Sequence, residues 1–181
     1  MICRALSAAI LMWLLACAVA AQGGSITREE ALAAAFPGAA VKAERVFLTQ
    51  DQMSQISELA RTDVKSGLVA RYMVTKAGKL VGRAYVDTHI VRTKRESLLI
   101  SLGADGRVRR VDVTAFLEPT EYRASERWLH QYDRRELTDD LAVQRAIRPI
   151  AGATLTTAVT NAAVRRVLAI DQVLEETGTT R

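Results

Sequence analysis

Threonine hydroxyls ahead of a long helical pattern are the groups of this 181-residue chain whose spacing best suggests chemistry. The stretch is Gly152-Ala153-Thr154-Leu155-Thr156-Thr157, and an apolar-periodic segment follows it. Glycine permits backbone conformations and close approaches that other residues resist. The first amides of a helix lack partners within the helix and lie at the positive end of its dipole, so they form a seat for phosphate. A threonine hydroxyl at this place could therefore carry a phosphate ester.

The same threonines also have a simpler use as helix caps. Threonine before a helix commonly accepts a hydrogen bond from a backbone N–H of the first turn. We expect Thr156 or Thr157 to be this cap, and the helix to run from Thr156 to Glu176. Its apolar face would contain Val159, Ala163, Val167, Ile170 and Leu174. Because the dipole stabilises an anion by only about 0.3–1 kcal/mol, a nucleotide held here would need a covalent bond.

The elements before this helix begin with two short helical patterns. Thr27 and Glu30 have the spacing of a capping box, and Pro37-Gly38 ends the helix that they open. Residues Val41 to Leu48 are a candidate strand. Thr49 and Gln52 then predict a second capped helix.

The middle of the chain changes to a β-strand period. Four segments rich in β-forming residues predict two hairpins, 68–75 with 80–90 and 97–102 with 108–116. In the last of these, Val111 and Val113 alternate with Asp112 and Thr114, which predicts one buried and one wet face. The four strands predict a mostly antiparallel sheet.

Helical patterns return after the sheet. Ser125 to Tyr132 predicts a helix with Trp128 in the core, and Leu137 to Ile147 predicts a second, charged one. On the final helix, Arg165 and Arg166 are expected on the solvated surface, with a patch that docks a partner as the alternative. The order of elements predicts a single α+β domain, over residues 22–181, with helices before and after the sheet.

Residues 1–21 are typical of a signal peptide. Arg4 precedes the uncharged apolar stretch Leu6 to Ala18, and small residues follow at Ala20 and Ala21. Cleavage after Ala20 or Ala21 is the first interpretation. Lipidation at Cys17 and a retained membrane anchor are the alternatives, and the interpretation predicts an exported, periplasmic protein.

Composition excludes several kinds of chemistry. Both cysteines, Cys3 and Cys17, lie in the leader, so the domain after it has no thiol. Neither His89 nor His130 has a partner at metal-ligand spacing, so we expect no metal site. The formal net charge of +5 is modest and no long basic tract occurs, which argues against nucleic-acid binding.

The stretch from Gly152 to Thr157, with Ala158-Val159 after it, resembles the "SGATxTS…AV" signature of FMN-binding domains. This family includes the flavin-carrying subunits of sodium-pumping NADH:quinone oxidoreductase and of related ferredoxin-linked complexes. There a flavin transferase joins FMN through a phosphoester to the threonine of Gly-Ala-Thr. The resemblance implies that Thr154 carries the FMN and that the rest of the stretch, with Glu118, surrounds it.

Four upstream segments resemble the same family in order, so the resemblance covers roughly residues 68–174. They are Gly78–Tyr85, similar to "GkvvGyay"; Asp105–Val108, similar to "dGkI"; Phe116–Pro119, which contains Glu118; and Trp128–Tyr132, similar to "fldqf". Residues Asp87 to Thr93 are similar to exported members.

The resemblance implies an exported electron-transfer protein with covalent FMN. Membrane or periplasmic redox proteins would be its partners and a flavin transferase would mature it. The chain departs from the family at Arg148 and Ala151, where the family has aspartate and Ser or Thr. A flavin-free binding module of the same fold, and non-covalent FMN binding, are therefore the alternatives. A hydrolase fits least, because no nucleophile motif accompanies the histidines.

Two further sets of residues have open interpretations. His89, Arg92, Lys94 and Arg95 either form a solvated strand end and loop or place positive charge near the flavin. Glu118 either accepts backbone hydrogen bonds in a loop or belongs to the flavin pocket.

Overall fold

The computed structural model describes residues 25–178. The predicted signal peptide, with Cys3 and Cys17, lies outside the described residues. Within residues 25–178, no helix is long and apolar enough to cross a bilayer.

Five antiparallel strands form one sheet in the order in which they occur along the chain. They are β1 Ala40–Phe47, β2 Leu68–Lys76, β3 Lys79–Ile90, β4 Arg95–Gly103 and β5 Val108–Phe116. Both predicted hairpins, β2–β3 and β4–β5, are confirmed. The candidate strand before them is also a full strand, since β1 pairs with β2 from Ala40↔Thr75 to Phe47↔Leu68.

Four helices accompany the sheet: α1 Arg28–Ala35, α2 Gln50–Ala60, α3 Glu126–Leu129 and α4 Thr154–Gly178. Both predicted capping boxes are present, because Thr27 and Thr49 each exchange hydrogen bonds with the residue three positions later. Single-turn 3-10 helices cover Thr120–Tyr122 and His130–Tyr132. The predicted α+β architecture, with helices on both sides of the strands in sequence, is confirmed.

The helices cover both faces of the sheet. The larger core lies between one face and helices α2 and α4, and includes Ile56, Ile100 and Val164. Helix α1 packs on the opposite face in a smaller core with Leu99. A Cβ on Gly82 of β3 would lie 2.4 Å from a ring carbon of Phe36. Only glycine therefore lets the Phe36 ring approach the sheet this closely.

One end of the sheet lies beside the start of α4. In this meander β1, β3 and β5 end where β2 and β4 begin. Asp87 near the end of β3 bonds Arg166 of α4, and Glu96 at the start of β4 lies within 3.4 Å of the Thr160 hydroxyl. The β3–β4 turn therefore lies towards the N-terminus of α4.

The helix predicted over Leu137 to Ile147 is wrong. Turns occupy this segment, with an isolated bridge between Val143 and Ile147. Gln144 has a φ of 66°, in the left-handed region that interrupts a right-handed helix. The carbonyls of Thr138 and Leu141 accept hydrogen bonds from the Arg165 guanidinium, and the Thr138 carbonyl also accepts the Leu141 N–H in a single turn.

Two predictions of solvated side chains are also wrong. Asp112 is buried, because the face of β5 opposite Val111 and Val113 is covered as well, and it bonds Arg110. Arg165 is buried too, since the end of α2 and the segment from Leu137 to Ile147 pack over it. Arg166 is half-buried in an ion pair with Asp87.

Candidate functional site

The Gly-Ala-Thr stretch makes a tight turn into α4. Gly152 has a φ of +76°, and no atom lies within 4 Å of the place that a Cβ would occupy. The expectation of a special backbone conformation at this glycine is thereby confirmed. Ala153 is buried, and its carbonyl accepts the Thr157 amide at 3.0 Å. Helix α4 therefore begins at Thr154, two residues before the predicted start.

Thr156 and Thr157 are not N-caps, because both lie inside the helix and are buried. The Thr156 hydroxyl donates to the Tyr122 carbonyl at 2.7 Å. The Thr157 hydroxyl accepts the Ile150 N–H at 2.9 Å and donates to the Ala153 carbonyl at 3.1 Å. Thr156 therefore connects the first turn of α4 to the loop after β5, and Thr157 connects it to the turn before the helix.

Thr154 and Leu155 are exposed on the first turn of α4. The Thr154 hydroxyl makes no hydrogen bond to any side chain or backbone group of the described residues. It stands among the first amides of a 25-residue helix, where the helix dipole favours negative charge. The geometry leaves this hydroxyl accessible to a modifying enzyme, whereas its two threonine neighbours are engaged.

The segment that leads into Gly152 is held by α3 and the 3-10 turn after it. The Trp128 indole N–H donates to the Arg148 carbonyl at 2.7 Å, and the Gln131 side-chain oxygen accepts the Arg148 N–H at 2.8 Å. Trp128 is half-buried against the main core, edge-on to Tyr132 at 5.7 Å between ring centroids. This packing agrees with the core role predicted for Trp128.

Glu118 organises the β3–β4 turn. One of its carboxylate oxygens accepts the backbone N–H groups of Thr93 and Lys94, each at 2.7 Å, and that of Arg92 at 3.3 Å. These amides lower the pKa of the carboxyl below its usual value. Of the two interpretations, the structure shows the loop residue that accepts backbone bonds. Glu118 and the Gly-Ala-Thr stretch nevertheless lie at the same end of the sheet, because Tyr122 follows Glu118 and receives the Thr156 hydroxyl.

A cleft of about 510 Å³ runs along α4 from this end of the sheet. One wall is the α4 stripe Val159, Ala162 and Arg166, and the opposite wall is the loop of residues 62–66. The sheet contributes Leu68, Val69, Val86 and Ile90, together with Asp87 and His89. A cleft of this volume is large enough for a small-molecule ligand, and its lining combines apolar side chains with five charged ones, Asp63, Lys65, Asp87, His89 and Arg166.

The charged groups of the cleft belong to a network between α4 and the sheet. Arg166 makes two hydrogen bonds to Asp87, at 2.7 and 2.9 Å. His89 lies between two carboxylates, with Nδ1 2.9 Å from Asp87 and Nε2 3.0 Å from the buried Glu96. Burial by itself would lower the pKa of His89, but the hydrogen bonds to Asp87 and Glu96 raise it to about 9. The imidazole is therefore a cation at neutral pH.

The four basic residues that the sequence analysis grouped together, His89, Arg92, Lys94 and Arg95, differ in exposure. His89 is not part of a solvated strand end, because its ring is turned inward under α4. Arg92, Lys94 and Arg95 are exposed on the turn. The sequence pattern did not predict this network. Tyr85, Asp87 and His89 nevertheless alternate along one strand and therefore share one face, which is the signal that could have indicated it.

No group of three or more histidine, cysteine or acidic side chains within residues 25–178 is placed to hold a metal ion. Comparisons of the chain with protein-family models, with curated proteins and with solved structures find no match.

Proposed function

We propose that the protein is an electron-transfer flavoprotein that carries FMN through a phosphoester on Thr154. The observation that carries the proposal is the exposed Thr154 hydroxyl at the positive end of α4, two residues after Gly152, which has a φ of +76°. The residues fit the group, because space is open beside Gly152 and a cleft of about 510 Å³ follows the same helix.

The chain's own groups would hold the phosphate by three means. The ester bond would retain it, the first amides of α4 would donate hydrogen bonds to its oxygens, and the dipole would favour its charge. Thr156 and Thr157 would keep this turn rigid through their bonds to Tyr122 and Ile150. When bound, the flavin supplies the capacity to accept and donate electrons.

The surroundings of Thr154 support transfer between proteins rather than turnover of a metabolite. Leu155, Leu117, Ile90 and Tyr122 are exposed apolar side chains at this end of the domain, and we assign the contact with partner proteins to them. We propose that the partners are membrane or periplasmic electron carriers, that the protein is exported, and that a flavin transferase matures it.

Expression with a flavin transferase, followed by intact-mass measurement and a visible spectrum, tests the proposal. The wild type and Thr154→Ser should gain the mass of one FMN less water and keep their colour after acid precipitation. Thr154→Ala should fold with an unchanged circular-dichroism spectrum but remain unmodified. A wild-type protein that is unmodified by mass and colourless when denatured would contradict the assignment of covalent FMN to Thr154.

Arg148 and Ala151 support a second candidate, a binding module that has kept the fold and lost the flavin. Both residues are exposed just before the turn at Gly152. At these positions the family that the chain resembles has aspartate and Ser or Thr. This candidate predicts a colourless protein in which Thr154→Ala changes neither folding nor partner binding. Non-covalent FMN binding differs from both, because acid precipitation would release the colour.

A further inference from the structure

We propose that the cleft along α4 holds the ring system of the flavin and that His89 sets the charge of that site. This inference rests on the proposed attachment at Thr154 but goes beyond it. It assigns the space between α4, the sheet and the loop of residues 62–66 to a flat heteroaromatic ligand.

Distance along the helix permits this placement. Val159, Ala162 and Arg166 follow one another on the face of α4 that lines the cleft. With a rise of about 1.5 Å per residue, they lie roughly 8, 12 and 18 Å along the axis from Thr154. A phosphate, a five-carbon chain and a three-ring system together can extend over such a length. The length of the group is therefore sufficient to extend from Thr154 to the part of the cleft beside Arg166.

The lining matches a ring that is apolar at one edge and polar at the other. Side chains such as Val69, Val159 and Ile170 offer apolar surface, whereas Asp87, His89 and Arg166 lie together because Asp87 bonds both of the others. A flavin ring has a benzenoid edge without polar atoms and a pyrimidine edge with hydrogen-bonding atoms. The charged side of the cleft is therefore the place for the pyrimidine edge.

The charge around the cleft depends on the proton of His89. His89 and Arg166 are positive and are balanced by Asp87 and by Glu96, which bonds His89 but does not line the cleft. Asp63 and Lys65 on the facing loop also cancel each other formally, so loss of the positive charge at residue 89 would leave the network negative. Uptake of two electrons and one proton leaves a flavin ring with one negative charge. A cation beside it stabilises that form, so His89 should raise the reduction potential.

Ala162→Phe tests the location, because a phenyl ring at this position would fill the cleft. Ala34→Phe on the exposed side of α1 is the matched control. In the flavinylated full chain, iodide should quench the flavin fluorescence of Ala162→Phe more strongly than that of the wild type or the control. Equal quenching in all three proteins would overturn the placement.

His89→Gln tests the electrostatic role, with His130→Gln as the matched control on the exposed end of α3. In titrations with dithionite at neutral pH, His89→Gln should have a lower flavin potential than the wild type, and His130→Gln should not. Equal potentials would overturn the role of His89.

The two proposals fail in distinguishable ways. A protein that carries flavin on Thr154 but shows neither effect contradicts only the cleft assignment. A protein that carries no flavin after expression with the transferase overturns both.

Discussion

Thr157 connects the turn before α4 to the helix through a single buried hydroxyl. The Ile150 N–H donates to this hydroxyl at 2.9 Å. The Ala153 carbonyl, which accepts from the hydroxyl, also accepts the Thr157 amide and would keep that bond without the side chain. The Ile150 amide is therefore the group that depends on Thr157.

Thr157→Val should lower the free energy of unfolding by about 1–2 kcal/mol, because valine keeps the shape but leaves a partly buried N–H without an acceptor. It should also reduce flavin loading at Thr154, since the turn at Gly152 loses an anchor. Urea denaturation and intact mass measure the two effects. Thr154→Val is the control for stability, with a change within about 0.5 kcal/mol at an exposed position. Equal destabilisation by both substitutions would contradict this account.

Arg165 joins three elements of the fold. From α4 its guanidinium donates to the carbonyls of Leu59 and Ala60, at 3.2 and 2.9 Å, where α2 ends. It also donates to Thr138 and Leu141, at 2.7 and 3.0 Å. The last carbonyls of a helix lack partners within it and carry the negative end of its dipole. The buried guanidinium is stable here because it donates hydrogen bonds to these carbonyls and because its positive charge lies at the negative end of the α2 dipole.

Arg165→Met should destabilise the fold by about 3 kcal/mol or more, because it leaves the carbonyls of Leu59 and Ala60 without their donor and removes a bond from those of Thr138 and Leu141. Arg165→Lys should lose less, since an ammonium keeps the charge but reaches fewer of these carbonyls. Chemical denaturation followed by circular dichroism measures both. Arg127→Met on exposed α3 should stay within about 0.5 kcal/mol. If Arg165→Met were no more harmful than this control, the linking role would be wrong.

The elements differ in how far the sequence alone could predict them. The capping boxes at Thr27 and Thr49 and the two hairpins depend on residues close in sequence, so local patterns predicted them. Gly152 was predicted correctly for the same reason. Arg165 could not be predicted, because its four acceptors belong to segments more than 20 residues away.

Tertiary contacts also explain the other errors at the site. The charged pattern over Leu137 to Ile147 is compatible with a helix in isolation, but Arg165 takes two of its carbonyls. The start of α4 was misplaced because threonine is a common cap, whereas here the hydroxyls of Thr156 and Thr157 bond groups outside the helix. The modification of Thr154 stays a prediction that rests on the motif and on its exposure.

At the scale of the molecule, the sheet separates two cores of unequal size. Helices α2 and α4 close the larger one, and the ion pairs between α4 and the sheet are buried with it. Arg166 bonds Asp87 at the middle of α4, and Arg83 bonds Asp171 further towards the C-terminus of the helix. Because these charges are held in a medium of low polarity, their protonation is coupled to the stability of the whole fold.

The His89 network makes global stability depend on pH in the alkaline direction. Asp87 and Glu96 raise the pKa of His89 from 6.5 to about 9 in the folded protein, against the effect of burial. A raised pKa means that the folded state holds the proton more tightly, so the stabilisation is complete below about pH 6.5 and is lost as pH rises through about 9. Since each tenfold change in proton affinity is worth about 1.4 kcal/mol, the rise from 6.5 to about 9 corresponds to a loss of at most about 3.5 kcal/mol.

Urea unfolding at a series of pH values across this window should show that loss in the wild type. His89→Gln should be less stable at the acidic end and nearly independent of pH across the window, because it has no proton to release. His130→Gln should follow the wild type, because its ring bonds Asp133 on an exposed turn and takes no part in the network. A wild-type stability that stayed level or rose from pH 6.5 to 9 would show that His89 is not held as a cation between its two carboxylates.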